Sequence, residues 1–210
     1  IAATLLLTAG CQQTKPKAIE TGETRPTSVT SKTPPPPPRP TFHQKCAFIL
    51  NNFVNSTGKV DYRSLKRKKP QLRKLLDEFA KLDPNEYNRW PKEDKIAFWI
   101  NAYNLELLKI ILDNYPIKSS TWQRIIYGPN SIRNISGLWD KYKFIIMDEQ
   151  FTLTELEQRF FKKEFNEPRV FFALFKASLG GPPLRNEPYY GEKLYEQLDD
   201  QVKKYLSSRY

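Results

Sequence analysis

Beyond Phe42, apolar residues recur at three- and four-residue spacing in successive runs, and each run predicts a helix with one face turned to a core. Phe42 to Phe53 is the first such run. Ser64 to Leu82 is the second, with Leu65, Leu72, Leu75, Leu76, Phe79 and Leu82 in register and Lys and Arg between them. Gly58-Lys-Val-Asp-Tyr62, between the two, reads as a turn or a short extended piece. Pro91-Lys-Glu-Asp94 opens a third helix, with Pro in the first turn and acids near the positive end of the dipole, and Tyr115-Pro116 closes it. From Ile96 to Leu112 this helix has hardly any polar face, so it is expected to be central and buried. Asn101 and Asn104, three apart, share one face of it, where desolvated amides need partners. They either brace a neighbouring loop or line a pocket.

A looser stretch with Gly128, Pro129 and Gly137 follows. Lys143 to Met147, the turn residues Asp148-Glu-Gln150 and Phe151-Thr-Leu153 then predict a hairpin. Thr152 with Glu155, or Thr154 with Glu157, can cap the helix that follows, which carries Leu153, Leu156 and Phe160. Arg169 to Ala177 is a buried apolar element, helix or strand, and Gly180-Gly-Pro-Pro183 enforces a loop after it. Gly191 to Tyr205 is a last amphipathic helix with Leu194, Leu198, Val202 and Tyr205 in register. The predicted class is mainly helical α+β: a single domain, residues 42–210, around a buried central helix, with a small antiparallel sheet or hairpin.

The N-terminal forty residues follow other rules. Ile1 to Cys11 is an uncharged apolar run ending in small residues, too short to span a bilayer at the about 20 helical residues that takes, and it has the length of a signal-peptide apolar region. Without an initiator Met or basic flank, the sequence is expected to begin inside the signal. Thr8-Ala-Gly-Cys11 resembles a bacterial lipobox, which implies lipid attachment at Cys11 and an exported domain anchored to a membrane of the bacterial cell envelope, outside the cytoplasm. Residues 12–41 contain the five prolines Pro34 to Pro38 and almost no large apolar side chain, so they are expected to form a disordered Pro-rich tether. A spacer and a Pro-rich ligand for a partner's groove are its two readings.

Composition narrows the chemistry. Of 210 residues one is His and two are Cys, which excludes His/Cys-ligated structural zinc, iron–sulfur clusters and a cysteine-rich scaffold; no metal or cofactor is expected. Cys46, on the apolar side of the first helix, reads as a small buried hydrophobe, and His43 as a cap or surface residue. Net charge is +11, of which +3 lies in residues 12–41. Lys66, Arg67, Lys68 and Lys69 form the densest patch. A solvated helical face, anionic lipid and an envelope polymer are its readings; no recognised motif accompanies it, and nucleic acid is not an expected partner.

The run Ala97-Phe-Trp-Ile-Asn-Ala-Tyr-Asn104, followed by Tyr115-Pro116, Ser131-Ile-Arg133, Trp139, Phe151-Thr-Leu153, Leu156-Glu157, Glu167-Pro-Arg169 and Ala177 to Glu187, resembles the family called domain of unknown function 547. Gly58 to Tyr62 and Leu198-Asp-Asp-Gln201 fit it too. Its bacterial members are often exported, and the resemblance implies no established activity. It does imply His at the positions of Gln158 and Phe171 and Cys at those of Lys176 and Gly181, a set that looks like a thiol nucleophile with its base. This chain has none of them. The residues it retains, Asn101, Asn104, Glu157, Arg169, Ser178, Arg185 and Glu187, are those that would build a ligand pocket, with Arg169 and Arg185 gripping a carboxylate or phosphate or else pairing with Glu157 and Glu187. The expected function is a non-catalytic binding or scaffold module. The alternative is a hydrolase or transferase using Ser178 with Lys176, or the Glu157/Glu187 carboxylates.

Overall fold

The structure, a computed structural model, describes residues 42–178 and 180–207. The predicted signal, Cys11 and the Pro-rich tether lie outside the described residues.

Helix α5, Lys92–Asn114, is the axis of the domain. Twenty-three residues at 1.5 Å each make it about 35 Å long, and every residue from Ile96 to Leu112 except Lys109 is buried. A helix apolar on all sides must be wrapped on all sides. Helix α3, Lys69–Ala80, covers one flank with Leu72, Leu75, Leu76 and Phe79, at positions i, i+3, i+4 and i+7. Helices α1, Phe42–Phe53, and α2, Tyr62–Arg67, back onto α3, the former through buried Cys46, Ile49 and Leu50. The predicted single helix over 64–82 is therefore two helices. They part at Lys68 (φ −105°, ψ 12°) because Pro70, near the start of α3, has no N–H to continue the ladder and its ring excludes the preceding turn.

Around Trp99 the core is aromatic. Its ring stacks on Phe160 at 3.7 Å between centroids and meets Tyr87, Phe98 and Phe151 edge-on, while its Nε1 donates to the Tyr87 hydroxyl at 2.8 Å. Tyr87 lies on the short helix α4, Pro84–Asn88, whose N-cap Asp83 accepts from Asn85 N. Buried tryptophan and tyrosine usually find such a partner for their polar atoms.

The hairpin is present: β1, Phe144–Ile146, pairs antiparallel with β2, Glu149–Phe151, in the register Phe144 to Phe151. Its turn is Met147-Asp148, one residue earlier than the pattern predicts, and both residues have positive φ, 52° and 59°. The turn amides donate to the last carbonyls of α3, Met147 N to Phe79 O and Asp148 N to Ala80 O, both at 3.0 Å. The hairpin tip is thus the C-terminal cap of α3.

Thr152 and Glu155 form the capping box of α7, Leu153–Leu156. That helix widens into a π-helix over Glu157–Phe165, in which Phe160, Phe161 and Phe165 are buried. Helix α6, Thr121–Tyr127, buries none of its residues. The 169–177 element is only a four-residue helix, α8, Val170–Ala173, which packs on α9, Leu194–Ser207; the chain leaves it extended at Leu174 and bends again at Ala177, where φ is 48°. Cys46 is fully buried, and burial pushes its thiol far up in pKa. His43 is buried as well, its ring 5.3 Å from that of Tyr190, which corrects the expectation of a cap or surface residue: the first turn of α1 is covered by the loop before α9.

Candidate functional site

Seven polar residues were expected to build a ligand pocket. Six of them fall into four groups, each of which joins the segment 169–190 to a neighbouring helix, and Ser178 stands apart.

The first group is the polar stripe of α5. Asn101 Nδ2 donates to Tyr189 O at 2.8 Å and its Oδ1 accepts from Tyr189 N at 2.9 Å. One turn on, Asn104 Nδ2 donates to Ala173 O at 3.0 Å and its Oδ1 accepts from Phe175 N at 2.8 Å. A primary amide has the donor and acceptor of a peptide group. Asn101 therefore bonds Tyr189 as a neighbouring strand would, while Asn104 caps the last carbonyl of α8 and holds the chain that leaves it. Of the two readings left open by the sequence, the amides are braces.

The second group centres on Tyr103, on the same helix. Its hydroxyl donates to Glu157 Oε1 at 2.6 Å and accepts from Lys176 Nζ at 2.8 Å, while Lys176 also pairs with Glu157. The Lys176 ammonium lies 5.0 Å from the Tyr103 ring and 5.1 Å from that of Trp139, so two aromatic faces and one carboxylate hold it. Burial and the Glu157 charge push the Tyr103 hydroxyl well above its usual pKa, so it stays protonated as a donor.

The other two groups are ion pairs reaching to α9. Arg169 forks onto Glu167 and also binds Asp199. Arg185 binds Glu187 and Asp200, and Asp200 is shared with Lys204. The arginines therefore choose Glu167, Asp199 and Asp200, with Glu187 the one expected partner that is used; Glu157 goes to Lys176. Gln197 and Gln201, four apart on the buried face of α9, complete the clasp: Gln197 Nε2 donates to Pro188 O at 3.0 Å, and Gln201 Nε2 to Pro183 O at 2.7 Å. On the far side Gly58, with φ +78°, lets the 55–59 turn sit against the loop; a Cβ there would lie 2.5 Å from Pro183 Cβ. The side chain of every residue type but glycine is excluded at that contact.

Ser178 is exposed. Its Oγ lies toward Gly181, 2.7 Å from where a Cβ would stand, and Lys176 Cβ is 3.1 Å from the same point. Among the described residues, no side-chain base hydrogen-bonds Ser178; Lys176 is engaged by Glu157 and Tyr103, Glu187 by Arg185.

Of the basic patch, Lys69 pairs with Asp113, Lys66 donates to Tyr115 O, and Arg67 donates to Ser64 Oγ.

The sequence reading missed one titratable group. Glu106, inside the apolar run of α5, is 2% exposed and its Oε2 has no protein hydrogen-bond partner. It lines a cleft of about 400 Å³ together with Arg73, Asp77, Lys109 and Lys143. Burial raises its pKa from 4.5 to about 8, so the carboxyl is neutral over most of the physiological range. The signal that could have found it is plain: it is the one charged position between Lys95 and Lys109.

Among the described residues no group of three His, Cys, Asp or Glu has the arrangement of a metal site, and no helix is long and apolar enough to cross a membrane. A family model described as a protein of unknown function, DUF547, matches residues 87–206, more than half of the chain. It contains all seven candidate residues. No curated protein and no solved structure matches.

Proposed function

The chain belongs to the DUF547 family of proteins of unknown function, and on that premise we propose that it is a membrane-tethered, exported binding or scaffold module that has no catalytic role. One observation carries this reading. Lys176, the group best placed to serve as a base, is held by Glu157 and Tyr103, while Ser178 is exposed and points to Gly181. A serine hydrolase needs nucleophile and base within hydrogen-bond reach. Glu187 supports the same reading, because its carboxylate is engaged by Arg185 and Gln197.

Export and anchoring rest on the sequence: the apolar run to Gly10, the lipobox-like Thr8-Ala-Gly-Cys11 and the Pro-rich stretch that would tether the domain to its anchor. Anionic lipid or an envelope polymer, met through Lys66, Arg67, Lys68 and Lys69, is the partner class that the charge supports.

Two experiments test the two halves. The purified full-length chain is expected to remain unlabelled by a fluorophosphonate probe; labelling abolished by Ser178→Ala would restore the enzyme reading. In bacteria fed a palmitate analogue the chain is expected to incorporate it, and incorporation that persists in Cys11→Ser would remove the lipid anchor.

A further inference from the structure

Helix α6 is an anomaly in this fold. All seven of its residues are exposed, yet four are large and apolar or aromatic: Trp122 is 76% exposed, Ile125 71%, Ile126 64% and Tyr127 42%. Trp122, Ile125 and Ile126 stand at i, i+3 and i+4, so they form one stripe. The core does not hold this helix. Its caps do: Ser120 and Gln123 form a reciprocal capping box at one end, and Gly128, with φ +78°, donates to Arg124 O at the other. Seven residues are too few for a stable isolated helix, so local capping maintains a conformation whose apolar stripe the domain itself leaves uncovered.

The chemistry around the stripe indicates what covers it. No Asp or Glu occurs between Asn114 and Trp139, while Lys118, Arg124 and Arg133 do, all exposed. The Arg133 guanidinium lies 5.6 Å from the Tyr127 ring. At the base of the segment Lys66 donates to Tyr115 O, which brings the Lys66-Arg-Lys68 corner of α2 and α3 next to it. The nearby carboxylate, Asp113, is occupied by Lys69, Lys109 and Arg73. Among the described residues no carboxylate is bridged to Lys66, Lys68, Lys118, Arg124 or Arg133, and Arg67 has only the longer-range charge of Asp61 near it. An aliphatic stripe with Trp and Tyr, on a segment whose own charged residues are all cations, is the composition of a helix lying in a lipid interface: the aliphatic side chains enter the acyl boundary, the aromatics sit at headgroup depth, and the cations meet phosphates.

We propose that α6 is a membrane-docking helix, with Trp122, Ile125 and Ile126 entering an anionic bilayer surface and Lys66, Arg67, Lys68, Lys118, Arg124 and Arg133 contacting its headgroups. It deepens the lipid-binding half of the proposed function and rests on that half for its basic corner, but it does not need the lipid on Cys11. A second copy of the chain is the competing occupant.

The test uses the full chain carrying Cys11→Ser, sedimented with vesicles of phosphatidylcholine alone or containing about one-third phosphatidylglycerol. Binding to the anionic vesicles is expected, weakening as salt is raised. It should fall at least tenfold in the triple variant Trp122→Ser/Ile125→Ser/Ile126→Ser, whose circular dichroism should match the parent because α6 buries nothing. Substituting Gln for Lys66, Arg67 and Lys68 should weaken binding without abolishing it. Three outcomes would overturn the proposal: no vesicle binding; binding unchanged by the triple variant, which would leave a purely electrostatic surface; or a concentration-dependent dimer that the triple variant abolishes while vesicles are ignored. Failure of palmitate incorporation with vesicle binding intact would remove the anchor and leave α6 standing.

Discussion

Asn101 holds Tyr189 by both of its backbone groups, donating to the carbonyl at 2.8 Å and accepting from the N–H at 2.9 Å across 88 residues of sequence. Helix α5 thereby grips a segment that has no regular structure of its own. Asn101→Ala would leave both groups of Tyr189 buried without partners, at about 1–3 kcal/mol for each unsatisfied group. A loss of about 2–4 kcal/mol in urea unfolding is expected, with faster proteolytic cleavage between 176 and 190. Asn101→Asp, which retains the acceptor and loses the donor, should be destabilised too. A midpoint equal to that of the parent would show that Tyr189 finds its partners elsewhere.

Glu106 sets a pH dependence above the acidic range. Its carboxyl has a pKa of about 8 when folded and 4.5 as the ordinary value. Between these values the folded chain keeps a proton that the unfolded chain releases, so stability falls as pH rises through that window. Glu106→Gln removes the titration and nearly preserves shape. It should raise stability by on the order of a few kcal/mol above pH 8 and change little near pH 4.5. Denaturant midpoints of the two proteins at both ends of the window decide this; equal differences at both ends would exclude the titration.

The loop ion pairs act in the opposite direction. Glu167 is held below the ordinary carboxylate range chiefly by the Arg169 hydrogen bonds. For Glu187 and Asp200 burial works the other way, but the hydrogen bonds prevail, from Arg185 and Gln197 in the first case and from Lys204 and Arg185 in the second. A carboxylate with a lowered folded pKa contributes stability above its unfolded value, and that contribution disappears as pH falls through the folded one. Arg185→Met should therefore flatten the acid limb of a stability profile below about pH 4 and leave the Glu106 window unchanged. An acid limb as steep as that of the parent would assign acid sensitivity to other carboxylates.

Positions 176 and 181 are close enough to be cross-linked. A Cβ on Gly181 would stand 3.1 Å from Lys176 Cβ, slightly inside the roughly 3.5–4.5 Å of disulfides. Lys176→Cys/Gly181→Cys is expected to close a disulfide after a small opening of the loop. Peptide mapping after mild oxidation would show the cross-link. Two free thiols, with Cys46 still buried, would mean that the loop is too rigid to open.

How much of this could be read along the chain varies with the kind of interaction. Helix α5 was legible because a run without a polar face has only one stable surrounding, and the Thr152/Glu155 box because its two hydrogen bonds are local. The break at Lys68 was legible in principle from Pro70, but the continuous leucine register over 64–82 concealed it. The four-residue extent of α8 and the widening of the helix at Glu157 were not legible, since both answer to what packs beside them. Nor was the choice made by each arginine. Glu157, Glu167, Glu187, Asp199 and Asp200 are all within plausible reach in sequence, and burial and direction alone separate them.

By itself the sequence determined the mainly helical α+β class, the central position of α5, the hairpin and the poverty of thiol and imidazole chemistry, because hydrophobic periodicity, capping and composition are properties of short stretches of chain. The tertiary structure decided that Asn101 and Asn104 act as braces, that Lys176 is paired with Glu157 and Tyr103 rather than poised over Ser178, that Glu106 is buried neutral, and that α6 stands outside the core. Each of those depends on the distance and dielectric between groups remote in sequence, and only the folded chain sets these quantities.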